Sequence, residues 1–347
     1  MLKKHFSQFI RANNKKSFGF SPNGQEVICH TLKNKNGVEL DVINYGATIT
    51  SLKIPVENGK KIDVVLGFDS LENYIHSFNL PNAPYLGAIV GRFAGRINNA
   101  KFAIDGSEFE LSKNHGLHHI HGGFEGFSKA LWEVKTVTSN AIVLEYISRE
   151  NEEKFPGKLT TQITYTVTDD NEFKVEMIAK TTEDTIINLT QHSYFNLDGH
   201  SETIMNQNLF VNSAKTLETN IENIPTGNFS EIANSPFDFN LPKKCPAKID
   251  NTFVLNQENE LAATLFSIKN KLKMSVFTNQ PAVHIYVGGN CFNQIIGKEN
   301  ANYNSLSGIC FETQNFPDSP NHEHFPSAVL KKGETYLHTT TFKFEKI

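Results

Sequence analysis

Cysteine is scarce: four residues in 347, Cys29, Cys245, Cys291 and Cys310. None stands in a C-x-x-C spacing, which excludes a thioredoxin-type redox pair and a zinc ribbon and leaves small buried thiols as the expectation. Long apolar runs are missing too. Residues 64–66 and 86–90 fall far short of the ~20 needed to span a bilayer, so no membrane partner is expected. Neither sign of charge prevails, with 33 Lys and Arg against 37 Asp and Glu and a net charge of −4. Without a basic patch, nucleic acid is not an expected partner. The opening residues MLKKHFSQFIRANNKK carry basic groups but neither a continuous apolar segment nor a small-residue cleavage site. No signal peptide is read there, and a cytoplasmic location is expected.

Sustained helical periodicity is also absent; what fills the chain instead is alternation. Residues 38–43 read VELDVI, and residues 101–111 form two short runs around Asp105-Gly106, a pair suited to a two-residue hairpin turn. Residues 160–180 give two alternating runs about Asp169-Asp170-Asn171, and residues 132–147 repeat the scheme across Ser139-Asn140. Residues 335–344 (TYLHTTTFKF) are rich in Thr and aromatics, which suit a pleated surface. One short helix is expected where Asp69-Ser70 precedes LENYIHSF. These features predict an all-β protein, a β-sandwich or barrel, and not an α/β sheet. At ~150 residues per domain the length allows two domains. No linker divides the chain, and the proline-bearing stretch 212–248 is the candidate boundary or a long loop. We expect an N-terminal extension over residues 1–24 and a single domain over 25–347.

Histidine is the informative residue, with thirteen in the chain. In NHGLHHIHGG (residues 114–123), His119, His121 and Glu125 give the H-x-H-x-x-x-E ligand spacing of a cupin, although no second cupin motif follows. In NLTQHSYFNLDG (residues 188–199), His192 alone reads as either a structural or a functional imidazole. In FETQNFPDSPNHEHF (residues 311–325), Glu312 closes an apolar run and reads as either a surface carboxylate or a site group; His322 and His324 read as solvated loop residues. The segment GAIVGRFAGRI lacks the glycine order of a dinucleotide fold, and neither a phosphate loop nor a G-x-S-x-G elbow occurs.

Taken in order, NYGATITSLKIP, DVVLGFD, GRFAGRI, IHGG, NLTQHSYFNLDG, SPFDF, IDNTFVL, TNQPAVHIYVGGN and FETQNFPDSPNHEHFPSAVLKKGETY resemble the aldose 1-epimerase family over residues 27–344. The resemblance implies a large antiparallel β-sandwich with a sugar in a cleft across one sheet. It implies that Glu312 is the catalytic base, His192 the catalytic acid and His121 a second active-site histidine. Arg96, Asp250 and Gln280 are implied sugar contacts. No metal and no other cofactor is implied, and the partner is a small-molecule sugar bound by a monomer or homodimer.

Exchanging the anomers of a cyclic aldose requires removing the C1 hydroxyl proton while protonating the ring oxygen. A carboxylate and an imidazole suit these tasks, because a free glutamate (~4.3) is ionised at neutral pH and a free imidazole (~6.5) titrates close to it. The chain departs from the family pattern at Gly95, where Asn is usual, at Asn251 in place of His and at Lys332 in place of Pro. Three other readings stay open: a non-catalytic sugar-binding module of this fold, a cupin-like metal-dependent enzyme, and a calcium-assisted form of the epimerase.

Overall fold

The computed structural model describes residues 15–256, 261–288 and 294–347. Alternation of apolar and polar side chains decides the layers. In the strands Leu159–Val167 and Glu172–Thr181 every second residue is buried, and the two pair in register as a hairpin with Asn171 in the left-handed region. They belong to a nine-stranded sheet, largely antiparallel pairs, that begins with Glu133–Val137 and Ala141–Ser148. Tyr336–Lys346 lies in its interior, bonded to Glu172–Thr181 on one side and Leu272–Thr278 on the other. Beyond it run Leu261–Ser267, Gln207–Val211 and the short Lys243–Lys244.

A six-stranded sheet carries, in order, Tyr194–Phe195, Ile309–Gln314, Ala282–Val287, Ile249–Leu255, Ser213–Thr219 and Pro225–Glu231. Its odd-numbered residues Phe253, Val283, Ile285 and Phe311 enter one apolar cluster with Ile163, Met177 and Val276 of the large sheet and Leu40 and Leu52 of a five-stranded sheet formed by residues 15–63. Burial of this kind contributes about 25 cal/mol per Å² and holds the layers face to face. The even-numbered residues of the six-stranded sheet are left on the opposite surface.

The turns follow their residues. Asp105 and Gly106 both take positive φ between Lys101–Ile104 and Ser107–Glu110, as a two-residue hairpin turn demands. The helix Leu71–Phe78 starts where Ser70 Oγ accepts from the Asn73 backbone amide at 3.3 Å, and it buries Leu71, Tyr74 and Phe78.

Lys15–Phe20, assigned from sequence to the 1–24 extension, is an edge strand bonded to Glu26–Lys33; residues 1–14 lie outside the described residues. Within residues 212–248, Ser213–Thr219 and Pro225–Glu231 belong to the six-stranded sheet and Lys243–Lys244 to the nine-stranded one. Their prolines fall at sheet edges and turns, where a missing amide costs least.

Candidate active site

A cleft of about 580 Å³ opens over the even-numbered face of the six-stranded sheet. Strand register sets its floor. His284 stands opposite Glu312 on one side and Thr252 on the other, and Asp250 stands opposite Tyr286 in the next row. Gln314 is two residues beyond Glu312 and lines the same cleft. His192 comes from the turn into Tyr194–Phe195, the neighbour of the Glu312 strand.

The opposite wall is a small ribbon in which Arg96–Ile97 pairs with His119–Ile120. His121 follows it in the left-handed region, and Gly122 comes next at φ +84°. A Cβ on Gly122 would lie 1.8 Å from the Gly91 carbonyl oxygen, so the IHGG motif needs glycine for close backbone approach. Asn188 fastens the two walls. Its amide donates to the carbonyls of Ala94 (3.0 Å) and Asn315 (3.1 Å), and its oxygen accepts from the Asn315 amide at 2.8 Å. Below the floor, Thr313 Oγ1 meets Thr340 Oγ1 at 2.6 Å and His338 Nε2 at 3.1 Å, tying the Glu312 strand to the large sheet.

His192 Nε2 lies 3.4 Å from Glu312 Oε1, and both side chains are buried. The His192 ring stacks on Tyr194 at 5.4 Å and meets His121 edge to face at 5.7 Å, with Cys310 Sγ 3.7 Å from its Nδ1. The Gly95 amide donates to His121 Nδ1 at 3.3 Å, so a neutral ring carries its proton on Nε2. Neutral is the favoured form. Burial, followed by the neighbouring His192 and Arg96, pushes the His121 imidazole well below its ordinary range. Arg96 Nε is buried without a hydrogen-bond partner, as is Gln314 Oε1, so both offer unmet bonds beside the cleft.

Asp250 Oδ1 accepts from His284 Nε2 at 2.9 Å, while Thr252 Oγ1 lies 2.8 Å from His284 Nδ1. Burial alone would lift the Asp250 carboxyl, but the hydrogen bond and charge of His284, with Arg96 nearby, hold it below the usual carboxylate range. The same opposition acts on His284. Burial would lower it, yet the Asp250 hydrogen bond and the charges of Glu312 and Asp250 raise it.

Five of the six sequence-predicted residues, Arg96, His121, His192, Asp250 and Glu312, line this one cleft. Gln280 does not. It precedes the strand Ala282–Val287, its amide donates to Asn279 Oδ1 at 3.0 Å, and it borders a separate depression with Thr278 and Thr339. His284, four positions on in the same motif, occupies the cleft instead; the alternation Ala282, His284, Tyr286 is the signal that places it on that face.

The cupin spacing is also corrected. His119 turns its Nδ1 to the Ser112 carbonyl at 2.8 Å and packs on Phe155, while Glu125 is exposed beside Lys129. The grouping among the described residues that could hold an ion is His121, His192 and Glu312, whose ligand atoms lie within 4.8 Å of one another. His324 is an exposed loop residue, as expected, with Nε2 2.7 Å from the Gly227 carbonyl oxygen, whereas His322 is half-buried 3.3 Å from Asp318.

The chain is 36% identical to galactose mutarotase of Bos taurus over 338 residues, covering 94% of this chain and 97% of the relative. It is 33% identical to aldose 1-epimerase of Haemophilus influenzae over 344 residues, covering 94% and 98%. Among solved structures, an aldose epimerase homologue from C. elegans superposes with a TM-score of 0.86 at 28% identity, covering 92% of this chain and 99% of the other. Galactose 1-epimerase from Lactobacillus acidophilus gives 0.83 at 28% identity, covering 96% and 98%. The aldose 1-epimerase family model matches residues 29–343, and the chain belongs to that family.

Proposed function

We propose that this cleft interconverts the α and β anomers of free hexoses such as galactose and glucose. The observation that carries the reading is the convergence of His192 and Glu312, 3.4 Å apart at the cleft floor. The hydroxyl and ring oxygens of an anomeric centre are bonded to the same carbon, so an acid and a base serving both must converge in this way. Glu312 takes the C1 hydroxyl proton while His192 delivers one to the ring oxygen, and the ring opens to the aldehyde. Rotation about C1–C2 presents the other carbonyl face, and the two groups act in reverse on closure.

His121, neutral with its proton on Nε2, donates a hydrogen bond where charge develops at the ring oxygen. Arg96 and Asp250 orient the hydroxyls, since a misplaced ring loses the proximity contribution to rate. Protons alone are redistributed in this sequence of steps. A non-catalytic sugar module would need the hydroxyl contacts but not the paired acid and base.

All of these groups come from one chain, which supports a site complete in a monomer or in each half of a homodimer. The unpaired buried thiols of Cys29, Cys245 and Cys310 support a reducing, cytoplasmic location. The mild net charge of −4 supports a neutral small-molecule partner over nucleic acid. Among the described residues no helix is long and apolar enough to cross a membrane.

Polarimetry tests the activity. Added to freshly dissolved α-galactose or α-glucose, the protein is expected to speed the approach to equilibrium rotation. A spontaneous rate left unchanged across several aldoses would overturn the reading.

A further inference from the structure

His284 holds a place in the cleft that neither the sequence motifs nor the acid and base chemistry assigns. Its ring is anchored at both nitrogens. Nε2 meets Asp250 Oδ1 at 2.9 Å and Nδ1 meets Thr252 Oγ1 at 2.8 Å, both partners being on the adjacent strand. An ionised carboxylate only accepts, so Nε2 carries a proton in every state of the ring. The Thr252 hydroxyl donates to a neutral ring and accepts from a charged one, so the ring gains or loses its second proton without breaking either bond. Asp250 is thereby held through Oδ1. Its Oδ2, 3.2 Å from the Asn223 amide, remains on the open side.

The ring stands between the two carboxylates of the floor: Asp250 on one neighbouring strand and Glu312 directly opposite on the other. Arg96 and His121 face it electrostatically from the opposite wall. We propose that His284 is a positioning residue: it fixes the Asp250 carboxylate for hydroxyl recognition and supplies a positive charge between the two carboxylates of the cleft floor. This rests on the anomer-exchange reading above. Burial opposes a charged imidazole, but the carboxylates prevail and raise its proton affinity, in keeping with that role.

The test measures kcat and KM for galactose from about pH 5.5 to about pH 9 in the full chain and in His284→Ala and His284→Gln. Ala removes the anchor of Asp250. KM is expected to rise about tenfold or more, with kcat within about threefold of the parent, as befits a lost hydrogen bond to a charged group. Gln keeps an amide donor for Asp250 but carries no charge. Its KM at neutral pH is expected to stay within about threefold, while the acid limb of kcat/KM moves to higher pH, because the Asp250 carboxyl deprived of its hydrogen-bonded cation holds its proton more tightly.

A purely structural histidine would not move that limb, and thermal melting checks that each variant is folded. If the Ala variant does not fold, the pH profile of the Gln variant decides. The proposal is overturned if the Ala variant keeps its parent's KM, if it loses kcat at constant KM, or if the acid limb of the Gln variant stays in place. A parent enzyme that accelerates no mutarotation sinks the functional reading itself, a distinguishable result.

Discussion

His192 Nε2 and Glu312 Oε1 stand 3.4 Å apart although 120 positions separate them in the chain. Neither residue reaches the other without the strand pair Tyr194–Phe195 and Ile309–Gln314, so their approach is a product of sheet register. As proposed, they work as one unit. Glu312→Gln and His192→Gln are each expected to lower kcat by about 10²- to 10⁴-fold. The double variant should be scarcely worse than the poorer single one, because groups acting together are strongly non-additive. Polarimetric rates on galactose with the three variants decide this. Effects that multiply would mean independent roles.

Gln280 provides the contrasting case. Its amide is spent on Asn279 at 3.0 Å, outside the cleft. Gln280→Ala should leave kcat and KM for galactose within about twofold, whereas Arg96→Ala should raise KM by about tenfold or more through loss of a charged hydrogen-bond donor. A large KM increase in the Gln280 variant would place that side chain on the sugar after all.

Stability should fall on the acid side for an identifiable reason. Burial pushes His338 down to about 3 and His119 down to about 4 in the folded chain. An unfolded imidazole titrates near 6.5, so between these values the unfolded chain binds more protons and stability rises with pH. The contribution is fully present above pH ~6.5 and is lost as pH falls through the folded values. Melting temperatures measured from pH 7 down to about pH 4 should therefore drop steadily. His338→Gln should melt lower at pH 7, having disturbed Thr313 and Thr340, yet lose less on acidification. An equal acid loss in parent and variant would exclude His338 as a source.

Lys298 and Asp63 form a buried ion pair at 2.6 Å, and His200 lies 3.5 Å from the same carboxylate oxygen. Burial would raise the Asp63 carboxyl, but Lys298 and His200 together hold it below the carboxylate range. Lys298→Met leaves that charge without its main partner and should cost about 3–5 kcal/mol in urea unfolding. Adding Asp63→Asn should restore part of the loss. No recovery in the double variant would argue that Lys298 contributes by packing alone.

Much of the scaffold is legible residue by residue. Asp105-Gly106 dictates its turn, Ser70 caps its helix, and alternation over residues 160–180 gives the paired strands in register. The edge strand Lys15–Phe20 is harder to see, because it is mostly exposed and a register shift between Ser17 and Gly19 breaks its alternation.

The site is less legible than the scaffold. Read alone, Glu312 is a carboxylate at a strand end and His192 a lone imidazole; only the ordered family resemblance joins them, since their contact depends on pairing across 120 positions. His284 escapes notice because Val283 and Ile285 flank it, and a strand interior conceals which face looks onto a cleft. Gln280 lies outside the cleft for the converse reason. A shared motif identifies a segment, whereas the pleat decides which of its polar residues faces the cleft.

The interior position of Tyr336–Lys346 has a consequence for biosynthesis. The strands on its two flanks, Glu172–Thr181 and Leu272–Thr278, leave the ribosome well before it and cannot bond to each other directly in this order. Until the closing strand emerges, the nascent chain presents two unsatisfied sheet edges, the kind of surface that recruits other chains. A ribosome stalled short of residue 336 would therefore release a product that is not merely inactive but adhesive, and such products should depend on chaperones that shield exposed strands.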